Sequence, residues 1–171
     1  MNSFLEIKNL SKVYNDKGEQ ITIFENTNFK LESNQLVTLT GPSGSGKSTL
    51  IHILCLLDSP NNGSFFLKQP EDLFKKNENE KSTFRKNNIS IVFQSFNLIS
   101  DLTAIENVML PSLYLGNDNN ETETNALKLL RKMNLENRIN HLPKELSGGE
   151  QQRVAIARSM INKPELILAD E

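Results

Sequence analysis

The chain opens with short-range alternation. Leu5 and Ile7 point one way and Glu6 and Lys8 the other, which predicts a half-buried strand over residues 4–10. Tyr14 follows, then the turn Asn15-Asp16-Lys17-Gly18. Residues 21–24 and 28–32 read as two further strands around a break at Glu25-Asn26. Residues 35–40, Gln-Leu-Val-Thr-Leu-Thr, predict a fourth strand from their β-formers. The apolar run 50–57 then predicts a buried helix. Asp58-Ser59-Pro60-Asn61-Asn62-Gly63 is a strong turn, and 64–68 a short strand. Residues 69–88 are polar and charged, which predicts a surface loop with one short helical turn near 82–86. Ile89-Ser90-Ile91-Val92-Phe93 is a β-branched apolar run of the kind found in buried parallel strands, and Gln94 ends it.

From Ser95 the period changes from two to between three and four. Thr103-Ala104-Ile105-Glu106 is a capping box opening a helix with Ile105, Val108, Met109 and Leu110, which Pro111 is expected to kink or end. Residues 116–120 are a loop. Ala126, Leu129, Leu130 and Met133 stand at i, i+3, i+4, i+7 and predict an amphipathic helix over 124–133. His141-Leu142-Pro143 breaks the pattern. Ser147-Gly148-Gly149-Glu150 then runs into a helix striped with Val154, Ala157, Arg158 and Ile161. After Lys163-Pro164, residues 165–171 form an apolar strand that ends in two acids. Strands alternating with helices make this an α/β chain, preceded by antiparallel-looking β structure.

Composition narrows the classes. At 171 residues, 37% hydrophobic and 23% charged, the chain fits one globular domain with a sizeable core. The net charge of −2 leaves no electrostatic footprint for nucleic acid or an anionic lipid surface, so neither is an expected partner. No run approaches the length of a membrane span, and the N-terminus lacks a signal-peptide pattern. A single Cys55 in an apolar helix fits a buried structural thiol and a reducing compartment. His52 and His141 have no partner cluster, so neither is an expected metal ligand.

The chemistry concentrates at Gly41-Pro42-Ser43-Gly44-Ser45-Gly46-Lys47-Ser48-Thr49. This is G-x-x-x-x-G-K-[ST] between a predicted strand and a predicted helix, the context a phosphate-binding loop requires. Glycines let the backbone curl so that N–H groups face phosphate oxygens, and the helix adds its positive end. Lys47 can reach β- and γ-phosphates, and Ser48 can place its hydroxyl on Mg²⁺. Other positions stay open on residues alone. Tyr14 is either a strand-end aromatic or a platform for a purine ring. Ser147-Gly148-Gly149 is either an ordinary capped helix start or a second anion site. Asp170 and Glu171 end a parallel strand, where acids can hold Mg²⁺ and polarise water.

Taken together, the phosphate loop 41–49, Phe93-Gln94, the signature Leu146-Ser147-Gly148-Gly149-Glu150-Gln151-Gln152-Arg153 and the Walker B strand Leu166-Ile167-Leu168-Ala169-Asp170-Glu171 closely resemble the ATP-binding cassette (ABC) ATPases. The resemblance covers essentially the whole chain. It implies a P-loop NTPase fold, with an N-terminal antiparallel β subdomain and an inserted α-helical subdomain. It also implies a nucleotide-binding core in 1–94 and 159–171, and a helical subdomain with the signature helix in 95–158. Tyr14 would stack on adenine, and Lys47 and the loop amides of Gly41 to Thr49 would hold the phosphates of ATP. Ser48 and Asp170 would organise Mg²⁺, with Gln94 touching the metal or the attacking water and sensing the membrane partner. Glu171 would be the general base. Ser147, Gly148 and Gly149 would bind the γ-phosphate held by a second ATPase subunit. The implied partners are that second copy and an integral membrane permease, at the cytoplasmic face of the plasma membrane. Leu57-Asp58-Ser59-Pro60, Ala104-Ile105-Glu106-Asn107-Val108-Met109-Leu110-Pro111 and Leu168-Ala169-Asp170-Glu171 further resemble the lipoprotein-release and macrolide-efflux exporters. A soluble cassette ATPase acting on ribosomes or DNA is the less favoured alternative.

Family members continue past Walker B with a Pro-Thr segment, a D-loop and a strand ending in a switch histidine. The chain stops at Glu171. The resemblance therefore implies a core sheet missing its C-terminal part, and a gap beside the phosphate-loop strand. A fragment with weak or absent hydrolysis, a nucleotide-binding remnant, is the expectation for these residues.

Overall fold

The computed structural model describes residues 3–16, 18–68 and 70–170. They fall into two compact units, Met1–Thr83 and Phe84–Glu171.

The first unit is built on an antiparallel sheet in the order β2-β1-β3, with β1 Leu5–Asp16, β2 Glu19–Leu31 and β3 Asn62–Leu67. Leu5 pairs with Leu31 on one side and Leu67 on the other. The alternating residues Leu5 and Ile7 are buried with Leu10, Phe65, Leu67 and Leu73. Residues 21–24 and 28–32, predicted as two strands, belong to one. Asn26 adopts φ +47, its N–H donates to Ser11 Oγ at 3.0 Å, and the ladder resumes beyond it with a shifted register. Asparagine tolerates this left-handed geometry, so the break is a bulge and not an end. Helix α1 spans Lys47–Leu54 and buries Ile51, Ile53 and Leu54, with Cys55 and Leu56 just beyond.

Residues 35–40 are not a strand. They run without ladder partners among the described residues, and Leu36 is 99% exposed, with Val37 and Leu39 also exposed. β-propensity measures fit to a paired, half-buried surface, and without a neighbouring strand it produces no ladder. The surface loop predicted for 69–88 is also wrong in its second half, where α2 occupies Glu78–Asn88. Asn77 caps it reciprocally, accepting from the Glu80 N–H at 3.0 Å while its own N–H donates to Glu80 Oε2 at 2.8 Å. Acids in the first turn and Arg85 and Lys86 in the last complement the helix dipole. Its few apolar positions hid it from a periodicity search.

In the second unit, β4 Ile89–Val92 and β5 Leu166–Ala169 form a parallel pair; the β-branched run is a parallel strand as expected, but it is not a buried one, since only Val92 of β4 is buried. Helices α3 Ala104–Tyr114, α4 Asn119–Lys132 and α5 Gly148–Met160 pack around Val108, Ala126, Leu130, Val154 and Ala157. Pro111 does not end α3, which continues to Tyr114. The Pro111 carbonyl accepts from Asn162 Nδ2 at 3.1 Å, tying that turn to the segment after α5. Helix α4 starts earlier than its apolar stripe because the Asp118 carboxylate accepts from the Glu121 N–H at 2.9 Å.

Asn107, fully buried in α3, pins the segment before the helix. Its Oδ1 accepts from the Ile99 N–H at 2.8 Å, and its Nδ2 donates to the carbonyls of Ile99, Leu102 and Thr103 at 2.9 to 3.1 Å. Asn107→Ala would strand those backbone groups, and should lower the unfolding free energy by about 2–4 kcal/mol in urea titrations. A loss below about 0.5 kcal/mol would show that water replaces the amide at no cost.

Candidate functional site

The phosphate loop is a turn fixed by glycine and closed by lysine. Gly46 caps α1 in the left-handed region at φ +88, and a Cβ there would lie 2.4 Å from Ile23 Cγ2 of β2. No other residue combines that dihedral with that contact. The Ser45 N–H donates to the Pro42 carbonyl at 3.2 Å, and the Leu50 N–H returns to the Gly46 carbonyl at 2.9 Å. Lys47 Nζ donates to the carbonyls of Gly41 at 2.9 Å and Pro42 at 3.0 Å, so its ammonium sits over the loop it follows. Gly41 to Ser45 and Ser48 are exposed, with Thr49 half-buried. Tyr14, near the end of β1 and 41% exposed, belongs to the same unit. Its hydroxyl donates to Asp58 Oδ2 at 2.7 Å, and Asp58 Oδ1 accepts from Lys12 Nζ at 2.9 Å.

In the second unit, Gln94 and Asp170 leave the same end of the β4–β5 pair. Val92 is in register with Ala169, and the Asp170 N–H donates to the Val92 carbonyl at 3.0 Å. An amide and a carboxylate at the C-terminal end of parallel strands are hard oxygen donors, a set that suits Mg²⁺. Glu171, expected as the general base, lies outside the described residues.

Ser147, Gly148 and Gly149 form the start of α5. Ser147 caps it: its Oγ accepts from the Glu150 N–H at 3.3 Å, while Glu150 Oε2 accepts from the Ser147 N–H and Oγ–H, both at 2.8 Å. Arg138 Nε donates to Glu150 Oε1 at 3.0 Å. Neither glycine is demanded by the fold around it. A Cβ on Gly148 would meet nothing within 4 Å, and one on Gly149 would meet only Arg153 Nη1, at 3.7 Å. Glycine where alanine would fit, at an exposed helix start, leaves the first N–H groups of α5 uncovered by side chains.

The sequence missed two features. Arg158, read as part of an apolar stripe, donates to the carbonyls of Phe96 at 2.6 Å and Asn97 at 2.7 Å. Both of those residues sit at positive φ in the segment after Gln94, at +59 and +46. Burial pushes the guanidinium below its ordinary value without discharging it. Asp58, read as a turn residue, anchors Tyr14 and Lys12. A polar turn signature gives no hint of either long-range partner.

Glu150 is strongly perturbed. The Ser147 amide and hydroxyl, then Arg138, hold its carboxyl at about 2 instead of 4.5. A depressed carboxylate contributes stability above its unfolded value that is lost as pH falls through the folded one. The stability advantage of the parent chain over Glu150→Gln should therefore shrink from pH 4.5 to about 2. NMR titration should place the carboxyl near 2, and Ser147→Ala should bring it back towards 4.5.

The ABC transporter family pattern matches residues 24–171. The lipoprotein-releasing system ATP-binding protein LolD of Idiomarina loihiensis is 41% identical over 169 residues, 99% of this chain and 74% of that protein. The ABC transporter ATP-binding protein MJ1508 of Methanocaldococcus jannaschii is 46% identical over 168 residues, 98% of this chain and 74% of that one. Among solved structures, the dimeric post-hydrolysis state of the ATP-binding cassette MJ0796 bound to ADP and Pi superposes with a TM-score of 0.89. It is 40% identical and covers 98% of this chain and 73% of its own.

Proposed function

The chain belongs to the ABC transporter ATP-binding family, and from that premise we propose that it is the ATP-driven subunit of an exporter or lipoprotein-release system. In this reading two copies close on two ATP molecules and work a membrane permease. The observation that carries it is the presence, in one chain, of two helix starts of complementary design. Gly46-Lys47 receives a phosphate chain directly, and Ser147-Gly148-Gly149 is held open towards something beyond the subunit.

The residues divide the work as follows. Lys47 moves its ammonium from the carbonyls of Gly41 and Pro42 to the β- and γ-phosphate oxygens, a stronger charge-assisted partner. The amides of the loop and the α1 dipole take the remaining charge. The exposed ring of Tyr14 receives adenine. Ser48, Asp170 and Gln94 would hold Mg²⁺, which when bound neutralises charge on the phosphate oxygens. Glu171 orients and deprotonates the attacking water. The Ser147 cap and the two glycines meet the γ-phosphate of the opposite copy. A groove lined by Leu110, Pro111, Tyr114, Arg158 and Asn162, with a volume of about 430 Å³, supports docking of a permease segment at the cytoplasmic face of the membrane. Among the described residues no helix is long and apolar enough to cross a membrane.

A second reading is nucleotide binding without turnover. It is favoured by residues 35–40, which lead into the phosphate loop without a sheet partner among the described residues.

Calorimetry with MgATP tests the shared part. Binding should be measurable, and Lys47→Ala should weaken it at least about tenfold. Equal binding by parent and variant would refute both readings. Turnover separates them: a rate well above that of Glu171→Gln supports the first, and equal rates support the second.

A further inference from the structure

We propose that Asp58 is a positioning residue for nucleobase recognition. With Lys12 it locks the Tyr14 ring as a preset stacking face and ties that face to the phosphate loop. The proposal rests on the reading that Tyr14 receives the base.

Lys12 and Tyr14 stand two apart on β1, so both reach the same side of the sheet. Asp58, in the turn after α1, meets both. Tyr14 donates to its Oδ2 at 2.7 Å, and Lys12 to its Oδ1 at 2.9 Å. Lys12 also donates to the Ser59 carbonyl at 2.7 Å, and the Ser59 N–H donates back to Asp58 Oδ1 at 2.7 Å. The carboxylate is thus held by three donors. The same phenol oxygen hydrogen-bonds the side chain of Thr49, the last residue of the phosphate loop. One end of the ring is therefore fixed both to the first turn of α1 and to the turn that follows it.

The ring faces are also unequal. Lys12 Nζ lies 4.5 Å from the ring centroid, and Lys12 is only 7% exposed, whereas Tyr14 is 41% exposed. A buried cation fills one face, which leaves the solvent side for a planar ligand. Burial raises the Asp58 carboxyl, but Lys12, Tyr14 and the Ser59 amide outweigh it and keep it ionised. Asp58 in turn raises the Tyr14 phenol, which stays a donor at neutral pH.

An unanchored tyrosine near a strand end would lose rotamer freedom each time a base stacked on it. Here that cost is met in folding, so the hydroxyl, and not only the ring, contributes to affinity for the base. The contribution should be specific to ligands that carry a base. A purely structural Lys12–Asp58 pair would instead affect every ligand of the loop alike.

The test is calorimetry on the full chain with two probes, MgATP and magnesium tripolyphosphate, which has the phosphates but no base. Tyr14→Phe keeps the ring, the Lys12–Asp58 pair and the fold, and is the primary variant. It should weaken MgATP about three- to tenfold and leave tripolyphosphate unchanged. Asp58→Ala should do the same, and the double variant should bind no worse than either single one. ATP binding by Tyr14→Phe at the parent level overturns the proposal. So does equal weakening of both probes, or additive losses in the double variant. Tyr14→Ala separates the levels. If it weakens ATP while Tyr14→Phe does not, stacking stands and the anchoring role fails. If it leaves ATP and tripolyphosphate in their parent ratio, the stacking reading fails, and the anchoring role with it.

Discussion

Gly46 brings the chain out of the phosphate loop and into α1 at φ +88, against Ile23, with no room for a side chain. The rest of the candidate site in the first unit follows from that turn. It sets the start of α1, so Lys47 is the first helical residue and its ammonium falls over the carbonyls of Gly41 and Pro42. It puts Thr49 one half-turn further on, within reach of the Tyr14 phenol. The end of α1 then delivers Asp58, which closes the connection to β1. Backbone geometry at one glycine thus sets where α1 carries Thr49 and Asp58 relative to the Tyr14 ring.

The second unit solves a related problem differently. Its helix start at Ser147 is satisfied from within, by Glu150 and Arg138, and needs no ligand to be stable. The glycines beside it do nothing for the fold. The cap gives rigidity, and the glycines leave the first turn of α5 open. Arg158 links this helix to the segment after Gln94, so the α5 and β4 ends of the unit share one hydrogen-bonded connection.

Much of this was legible in the sequence because the informative signals are local. The turn from Gly46 into α1 and the capped starts of α3 at Thr103 and α5 at Ser147 depend on residues within a few positions of each other, and the structure has them where the spacing puts them. Residues 35–40 failed because a strand is a property of two segments, and propensity describes only one. Helix α2 was read as a single turn near 82–86 because its stability comes from Asn77 and Glu80 at its cap and from charge placement, not from an apolar stripe. Pro111 does not end α3, which runs on to Tyr114, and its own carbonyl is taken up by Asn162, 51 residues away. Asp58 and Arg158 were read locally and act at long range. The roles of Ser147 to Gly149 came from family resemblance, since the residues alone allowed a plain helix start equally well.

In the proposed function the two helix starts serve one nucleotide from two copies of the chain. Sedimentation velocity of the full chain with Mg²⁺ and a non-hydrolysable ATP analogue tests it most directly. A monomer is expected without nucleotide, a dimer with it, and a return to monomer when Gly148→Arg blocks the α5 start without touching the phosphate loop. A mass that ignores the nucleotide, or a dimer that persists in Gly148→Arg, would contradict it.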